Sequence, residues 1–236
     1  MTPKHAIYLF DIDGTLITTG GTGRNALEKV FDRRYNRLDA CDGFSFAGMT
    51  DRAILRQGLE AIGEPATEDH IDTMLDNYLE HLSYEVTHAP TYFVHPGMVE
   101  ALEHLSKLDD VAVGLGTGNV ERGARIKLER VGLNGWFDFG GFGCDAELRA
   151  ELILRGAQRG AEKLGRPLDA CTLIIIGDTA KDVAAAHANG GLCLGVTTGG
   201  GTEASLREAG ADHIVTDLAH PGALELLLAM GTPTTP

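Results

Sequence analysis

Short runs of apolar residues that end in Gly, Asp or Thr recur along this chain, and they constrain its fold more than any other feature. These runs are Ala6–Phe10, Val111–Leu115, Leu173–Ile176 and Leu192–Val196. Because each run is short and mostly apolar, we expect strands that are buried on both faces of a sheet. Helical patterns separate most of the runs, namely Met98–Leu108, Val120–Val131, Leu148–Leu164 and Asp182–Ala188. The alternation predicts an α/β fold in which helices wrap a parallel sheet.

The interval between the first two runs is much longer than a single crossover helix requires. We therefore predict a helical cap over residues 17–94, inserted after the first strand of a core formed by residues 1–16 and 95–230. The tail, residues 231–236, is too polar to bury surface, so we expect it to be disordered.

The predicted cap contains three candidate helices. The clearest one follows Thr67, a good N-cap residue, and carries an apolar stripe at helical spacing. Two more are expected after Thr22 and after Thr50. The segments 16–21 and 92–96 flank these helices and are the expected hinges.

Charge and length exclude several classes of partner. The chain has 236 residues, 43% of them hydrophobic, which is enough to bury a sizeable core. Its formal net charge is -14 without a block of Lys or Arg, so we expect no binding to nucleic acid or to anionic membranes. No segment approaches the roughly 20 apolar residues of a spanning helix, and the N-terminal residues do not resemble a secretory signal.

The cysteines are scattered and lack the spacing of a metal site. They are Cys41, Cys144, Cys171 and Cys193. We expect reduced thiols and a cytoplasmic location.

Polar and acidic side chains follow the apolar runs directly. Asp11 and Asp13 come after the first run, Thr117 after the second, and Asp178 and Asp182 after the third. In an open parallel sheet, ligands bind beyond the carboxyl ends of the strands, so we expect these side chains to converge. Taken singly, each aspartate could instead cap the turn after its strand, and Thr117 could be only a helix N-cap.

Converging carboxylates repel one another, and a divalent cation would compensate their charge. Two unit charges about 4 Å apart cost about 4 kcal/mol at an effective dielectric constant of 20. Mg²⁺ prefers oxygen ligands and keeps several waters, so we expect it as the cofactor. A metal beside carboxylates suits a phosphoryl ligand, because it neutralises the oxygens of that ligand. The expected partner is a small phosphorylated metabolite.

Three motifs resemble, in their order along the chain, those of the haloacid dehalogenase superfamily of phosphohydrolases. They are DIDGT after the first run, GLGTGN with Thr117, and GDTAKD with Asp178 and Asp182, with a basic residue before the last. The resemblance extends from about Ile7 to about Asp217 and includes the insertion. It implies a Rossmann-like core of three layers, α/β/α, beneath a helical cap.

The resemblance also implies a role for each matched residue. Asp11 is the implied nucleophile, which carries a transient phosphoryl group, and Asp13 is the implied general acid and base. Thr117 and the adjacent Gly118 would bind the phosphoryl oxygens. The implied Mg²⁺ ligands are Asp11, the main-chain carbonyl of Asp13, and Asp178.

A basic residue, more often Lys in this superfamily, is expected to bind the phosphate. The chain offers Arg149, Arg155 and Arg159, and we favour Arg149, which begins a helical pattern but could also be a solvated helix residue. Asp182 would bind the metal through a water, orient that basic residue, or serve only as an acid at a helix start. In the cap, Arg52 could contact an anionic substrate or be an exposed residue of the first helical turn.

These expectations describe a Mg²⁺-dependent phosphatase that hydrolyses a small phosphomonoester, with phosphoglycolate as the nearest named substrate. A phosphomutase or a phosphonate hydrolase of the same superfamily is the alternative, and the latter would need a cap lysine, for which the insertion offers only Lys29. The non-enzymatic alternatives are a phosphate-binding protein, which would not need Asp13, and a phospho-accepting regulatory protein, which would not need a cap. The sequence leaves the oligomeric state open.

Overall fold

The computed structural model describes residues 5–231. Over these residues the strands are β1 (His5–Phe10), β2 (Ile17–Thr18), β3 (Phe93–Val94), β4 (Val111–Gly116), β5 (Gly140–Gly141), β6 (Cys171–Gly177), β7 (Leu192–Val196) and β8 (His213–Val215).

Helices connect most of these strands. They are α1 (Thr22–Tyr35), α2 (Asp51–Ala61), α3 (Glu68–His88), α4 (Met98–Leu105), α5 (Glu121–Glu129), α6 (Arg149–Leu164), α7 (Ala180–Ala188), α8 (Glu203–Glu208) and α9 (Ala223–Met230). Within residues 5–231, no helix combines the length and the apolar character that crossing a membrane requires.

The central sheet has the strand order β5–β4–β1–β6–β7–β8, and all neighbouring strands are parallel. Strand β1 lies in the middle, where Leu9 is opposite Gly114 of β4 and Ile175 of β6. All residues of β1 are buried, because helices cover both faces of the sheet. The predicted α/β fold with a parallel sheet is confirmed.

Two hydrophobic clusters hold the helices against the sheet, one on each face. Alternate residues of β1 point to opposite faces, so Tyr8 and Phe10 belong to one cluster while Ile7 and Leu9 belong to the other. Helices α4, α5 and α9 contribute to the first cluster, and α6, α7 and α8 contribute to the second. The core therefore has the three layers that were expected, in a Rossmann-like arrangement.

A third hydrophobic cluster joins α1, α2 and α3, the helices of the predicted cap. Its fully buried side chains include Leu27 of α1, Leu55 of α2 and Tyr78 of α3. Thr50 and Thr67 each accept a main-chain hydrogen bond at the start of α2 and α3, as their positions in the sequence suggest. These three helices thus share apolar contacts that are separate from the two clusters on the sheet.

Strands β2 and β3 form a short antiparallel pair where the hinges are expected. Ile17 pairs with Val94, and Thr18 pairs with Phe93. The chain consequently enters and leaves the helical region at adjacent points. The assignment of residues 17–94 to a separate cap stays a prediction.

The sequence-based expectations do not include strands β5 and β8 or helices α8 and α9. Strand β5 consists of Gly140 and Gly141, which carry no side-chain pattern, and it forms by pairing with the edge of β4. Strand β8 has only three residues, too few for a period of two to be recognised. Short edge strands of this kind depend on the sheet that they join.

The predicted disordered tail, residues 231–236, lies outside the described residues except for Gly231, which is buried. The cysteines are free thiols: Cys41 and Cys193 are buried, Cys171 is partly buried and Cys144 is exposed.

Candidate active site

The loop after β1 turns sharply at Gly14, which has a φ of 83°. A Cβ atom at this position would lie 2.6 Å from Oδ2 of Asp178 and 2.9 Å from the Cα atom of Gly199. Only glycine fits both the backbone conformation and the space. The turn thereby brings Asp11 and Asp13 beside the residues that follow β6.

Asp11, Arg149 and Asp182 form a buried ion-pair network beyond the carboxyl ends of β1 and β6. Nη2 of Arg149 lies 2.7 Å from Oδ2 of Asp11 and 2.6 Å from Oδ1 of Asp182. Among the described residues, no hydrogen bond reaches the second oxygen, Oδ1, of Asp11. This oxygen is therefore available to a ligand in the site.

Both oxygens of Asp182 have partners from the protein itself. Oδ1 accepts from Nε of Arg149 at 2.8 Å, and Oδ2 accepts from the main-chain N–H and the hydroxyl of Thr179 at 3.0 and 2.7 Å. Asp182 is completely buried and completes a capping box at the start of α7. Asp182 thus contacts Arg149 directly, and its role in orienting that residue stays a prediction.

Asp178 follows β6 and has no cationic partner within hydrogen-bond distance among residues 5–231. It accepts from the hydroxyl of Thr15 at 3.2 Å and from the main-chain N–H of Gly200 at 2.8 Å. One oxygen from each of Asp11, Asp178 and Asp182 lies within 4.8 Å of the other two. This group of oxygen donors has the chemistry that a hard divalent cation prefers.

Burial and crowding shift the pKa values of two of these carboxyls. Burial raises the pKa of Asp11 to about 7; Arg149 opposes the shift, whereas the neighbouring carboxylates reinforce it. Burial together with the charge of Asp182 raises the pKa of Asp178 to about 6, against the hydrogen bonds from Gly200 and Thr15. The single charge of Arg149 does not neutralise the cluster, so the site has excess negative charge.

Asp13 is paired with a lysine that the sequence motifs do not indicate. Nζ of Lys127 on α5 lies 2.7 Å from Oδ2 of Asp13 and donates to the side-chain oxygen of Asn119 at 2.6 Å. Asn119 and the hydroxyl of Thr19 also donate to Asp13, at 2.8 and 3.1 Å. Burial by itself would raise the pKa of Asp13, but Lys127 and these hydrogen bonds outweigh it and lower that pKa.

A sequence signal for Lys127 exists, although it is weak. Helix α5 presents Ala124 and Leu128 to the core, and Lys127 lies between them on the same buried side, only 3% exposed. A lysine at an inward-facing helix position needs a charged partner. The identity of that partner follows only from the folded chain.

Thr117 is buried at the end of β4 and faces the same site. Its hydroxyl oxygen accepts hydrogen bonds from the main chain and the side chain of Asn119, at 3.3 and 2.9 Å. The hydroxyl proton has no acceptor among the described residues, so it is free for an anion in the site. Val120, and not Thr117, occupies the N-cap position of α5, so the plain N-cap alternative for Thr117 is wrong.

The other two candidate arginines are directed elsewhere. Arg155 donates to Gln158 on the exposed side of α6, and Arg159 forms an ion pair with Asp145. Of the three arginines considered, Arg149 alone contacts Asp11. Arg149 is buried, which excludes the alternative of a solvated helix residue.

A cavity of about 340 Å³ lies between the sheet edge and the helices α1 to α3. Its lining includes Asp11, Asp13, Thr117, Gly118, Lys127, Arg149 and Asp178 on the core side. On the helical side it includes Arg24, Leu27, Phe46, Met49, Ile54 and Tyr78.

Arg52 lies outside the lining of this cavity. Its guanidinium forms ion pairs with Glu68 at 2.6 Å and Asp72 at 2.5 Å, both at the start of α3. Lys29 is likewise paired with Glu85 and does not line the cavity. Arg24 is the cation that the helical side contributes instead.

Comparisons with known proteins agree with this arrangement. A family model for haloacid dehalogenase-like hydrolases matches residues 5–190. No curated protein is significantly similar to the chain.

Solved structures share the fold over almost the whole chain. A hydrolase from Pseudomonas syringae is 22% identical, with a TM-score of 0.68, and the alignment covers 95% of this chain and 98% of the other. A protein from Clostridium acetobutylicum described as a predicted phosphatase is 21% identical, with a TM-score of 0.68 and coverage of 95% and 99%. CbbY from Rhodobacter sphaeroides, determined in complex with phosphate, is 15% identical, with a TM-score of 0.69 and coverage of 94% and 99%.

The family match covers most of the chain and spans every motif residue from Asp11 to Asp182. It confirms the superfamily that the motifs indicate and the expectation of an enzyme. This chain belongs to the haloacid dehalogenase-like hydrolase family.

Proposed function

We propose that this protein is a Mg²⁺-dependent phosphatase that hydrolyses a small phosphomonoester through a phosphoryl group carried on Asp11. One observation carries the proposal. Asp11, which pairs with Arg149 through one carboxylate oxygen, lines a single cavity together with Arg149, Thr117 and Asp13. Nucleophile, phosphate donors and acid/base group are thus within one site.

The proposed reaction has two steps on this chain. In the first, Oδ1 of Asp11 forms a bond to phosphorus as the ester P–O bond breaks, and Asp13 donates a proton to the departing alcohol oxygen. In the second, Asp13 accepts a proton from a water whose oxygen attacks phosphorus. The bond between Asp11 and phosphorus then breaks and releases phosphate.

Three groups would hold the phosphoryl oxygens during both steps. The guanidinium of Arg149 is fixed by two carboxylates, so it is already oriented when the substrate binds. The hydroxyl of Thr117 has its proton available. The main chain at Gly118 lines the same cavity.

The residues present fit a divalent cation. The cluster Asp11, Asp178 and Asp182 has excess negative charge and offers only oxygen ligands. Asp11, Asp178 and the main-chain carbonyl of Asp13 would hold Mg²⁺, whereas Asp182 has both oxygens occupied by the protein. When bound, Mg²⁺ supplies charge neutralisation for the phosphoryl oxygens.

The alternatives within the superfamily receive less support. A phosphonate hydrolase that forms a Schiff base would need an amine in the cavity, and Lys29 pairs with Glu85 outside it. Lys127 lines the cavity, but its ammonium group is engaged by Asp13 and Asn119. A phosphomutase would return the phosphoryl group to a second sugar hydroxyl instead of water, and the assay below separates that outcome.

The test is Mg²⁺-dependent phosphate release from a panel of phosphomonoesters, with EDTA as the metal-free control. We expect wild-type protein to release phosphate and Asp11→Asn to lose at least about 10³-fold in kcat, because the amide is a poor nucleophile. Asp138→Asn, a change at an exposed aspartate that pairs with Lys163, serves as the matched control.

Mass spectrometry of acid-quenched wild-type protein should locate one phosphoryl group on the peptide containing Asp11. A folded Asp11→Asn variant that retains turnover would refute the assignment of the nucleophile. Turnover that occurs only with a sugar phosphate and a bisphosphate primer would identify a phosphomutase.

A further inference from the structure

The helical side of the cavity is built mostly from apolar side chains. Leu27 of α1, Phe46 and Met49 of the loop before α2, Ile54 of α2 and Tyr78 of α3 line it. The phosphate-binding groups all lie on the opposite side, at the sheet edge. These apolar side chains therefore face the part of a substrate that leaves as the alcohol.

The polar side chains on this helical side are already hydrogen-bonded within the protein. The hydroxyl of Tyr78 donates to Asp51 at 3.4 Å, and the other oxygen of Asp51 accepts from the main-chain N–H of Val120 at 2.9 Å. The hydroxyl of Thr19 donates to Asp13 at 3.1 Å. These hydroxyl protons and carboxylate oxygens are therefore less available to the hydroxyl groups of a sugar.

Arg24 is the cation among the residues that line this side, and two groups of the protein contact it. Its guanidinium carbon lies 4.0 Å above the ring of Phe46, and Nη1 lies 3.2 Å from a carboxylate oxygen of Glu28. The stacking covers the ring, and Glu28 compensates the charge. Arg24 is consequently held between Phe46 and Glu28, and the apolar wall is formed by the other side chains.

From this distribution we propose that the substrate is a phosphomonoester with a compact apolar leaving group. The inference rests on the proposed phosphatase activity and adds the class of alcohol. The cavity volume of about 340 Å³ is near the lower limit for ligand pockets, which favours a short branched alkyl or single-ring group. A leaving group rich in hydroxyls would lose about tenfold or more in kcat/KM for each buried hydroxyl left without a partner.

The test compares three esters of primary alcohols in the presence of Mg²⁺. They are 3-methylbutyl phosphate, glycerol 3-phosphate, whose alcohol has the same number of non-hydrogen atoms, and 2-phosphoglycolate, which carries a carboxylate. We expect kcat/KM for 3-methylbutyl phosphate to exceed the other two values by about 10-fold to 100-fold. Equal values, or a preference for either polar ester, would overturn the inference.

Variants of one loop link this preference to the cavity wall. Phe46→Gln should reduce the ratio of kcat/KM for 3-methylbutyl phosphate over glycerol 3-phosphate by about fivefold or more. Tyr84→Gln is the matched control, since Tyr84 is an exposed aromatic residue of α3 that does not line the cavity, and it should keep the ratio. Partial unfolding lowers both kcat/KM values by the same factor, which cancels in their ratio. A change in the ratio therefore reports a change in the cavity wall of the folded protein. Met49→Gln provides the same test if Phe46→Gln does not fold.

The results separate this inference from the proposed function. Mg²⁺-dependent phosphate release without the expected preference, or an unchanged ratio in Phe46→Gln and Met49→Gln, would overturn the apolar leaving group alone. Release from other esters of the phosphomonoester panel but from none of these three would likewise overturn the apolar leaving group alone. The absence of Mg²⁺-dependent release from the whole panel and from these three esters would overturn the proposed phosphatase activity and the inference with it.

Discussion

The carboxylate of Asp13 illustrates how single residues set the chemistry of this site. It is separated from Asp11 by one residue, yet the pKa values of the two carboxyls shift in opposite directions. Burial dominates at Asp11, whereas Lys127 and Asn119 outweigh burial at Asp13. The two carboxyls of one motif are thereby chemically different in the metal-free chain. A divalent cation in the cluster would lower the pKa of Asp11 and favour the ionised nucleophile, and an anionic substrate beside Asp13 would raise the pKa of Asp13 and favour the protonated acid.

We expect Lys127→Met to lower kcat by about 10-fold to 100-fold, because Asp13 would lose the cation that holds its carboxylate in place. The measurement is Mg²⁺-dependent phosphate release, with circular dichroism to verify the fold. Lys163→Met is the control, since Lys163 is a half-exposed lysine paired with Asp138. Wild-type kcat in a folded Lys127→Met protein would show that Asp13 does not depend on this lysine.

At the scale of elements, the start of α5 is completed by a helix from the predicted cap. The main-chain N–H of Asp51, in the first turn of α2, donates to the carbonyl of Gly118 at 2.9 Å. The carboxylate of Asp51 accepts from Val120 at the N-cap of α5. Arg56 on α2 adds an ion pair with Glu147, 2.6 Å away. Helix α2 therefore contacts the loop between β4 and α5, whose residues Thr117 to Asn119 line the cavity.

Asp51 should make stability depend on pH. Burial raises the pKa of its carboxyl from 3.8 to about 6, against the opposing charge of Lys127. Between about pH 4 and pH 6 the folded protein then binds more protons than the unfolded chain. The contribution of Asp51 to stability is therefore present below this window and is lost as the pH rises through it. Relative to Asp51→Asn, the wild-type free energy of unfolding should fall by about 2–3 kcal/mol over that range.

Urea denaturation of both proteins at several pH values measures this difference. Asn keeps an oxygen that can accept from Val120, so the comparison isolates the charge. Asp109→Asn, at an exposed position, controls for the loss of one negative charge. A difference between wild type and Asp51→Asn that does not change with pH would contradict the prediction.

At the scale of the whole molecule, the buried carboxylate cluster lies at the cavity between the sheet and the helices α1 to α3. The chain has a formal net charge of -14, and the cluster around Asp11 and Asp178 adds buried repulsion to it. The cavity lies between the parallel sheet and the helices α1 to α3, so ligands there contact both. A cation in the cluster would therefore stabilise the fold as a whole.

Mg²⁺ should raise the melting temperature of the metal-free protein. A ligand at about 100 times its Kd adds about 2.7 kcal/mol of stability, which corresponds to roughly 5–10 °C for a chain of this size. Asp178→Asn should lose most of this increase in melting temperature. Without Mg²⁺, the variant should be at least as stable as metal-free wild type, because one repelling charge is removed. Differential scanning calorimetry with Mg²⁺ or with an equal ionic strength of K⁺ measures both effects.

Asp138→Asn is again the matched control and should keep the full Mg²⁺ shift. Equal shifts in Asp178→Asn and wild type would place the cation outside the carboxylate cluster.

The sequence by itself determines the strands β1, β4, β6 and β7 and the residues that follow them. Apolar runs that are buried on both faces leave few alternatives to a parallel sheet, and the carboxyl ends of parallel strands converge. For that reason the sequence alone identifies four candidate site residues, namely Asp11, Asp13, Thr117 and Asp178. The choice of Arg149 among three arginines was open, because helical spacing does not distinguish a buried guanidinium from a solvated one.

Only the tertiary structure decides which groups outside the motifs reach the site. Lys127 is near Asp13 because α5 packs against the sheet edge, and Arg52 turns away because Glu68 and Asp72 lie within its reach. The apolar wall of the cavity likewise brings together Leu27, Phe46 and Tyr78, which are far apart in the sequence. Side-chain partners across such distances depend on packing and burial, which no local pattern records.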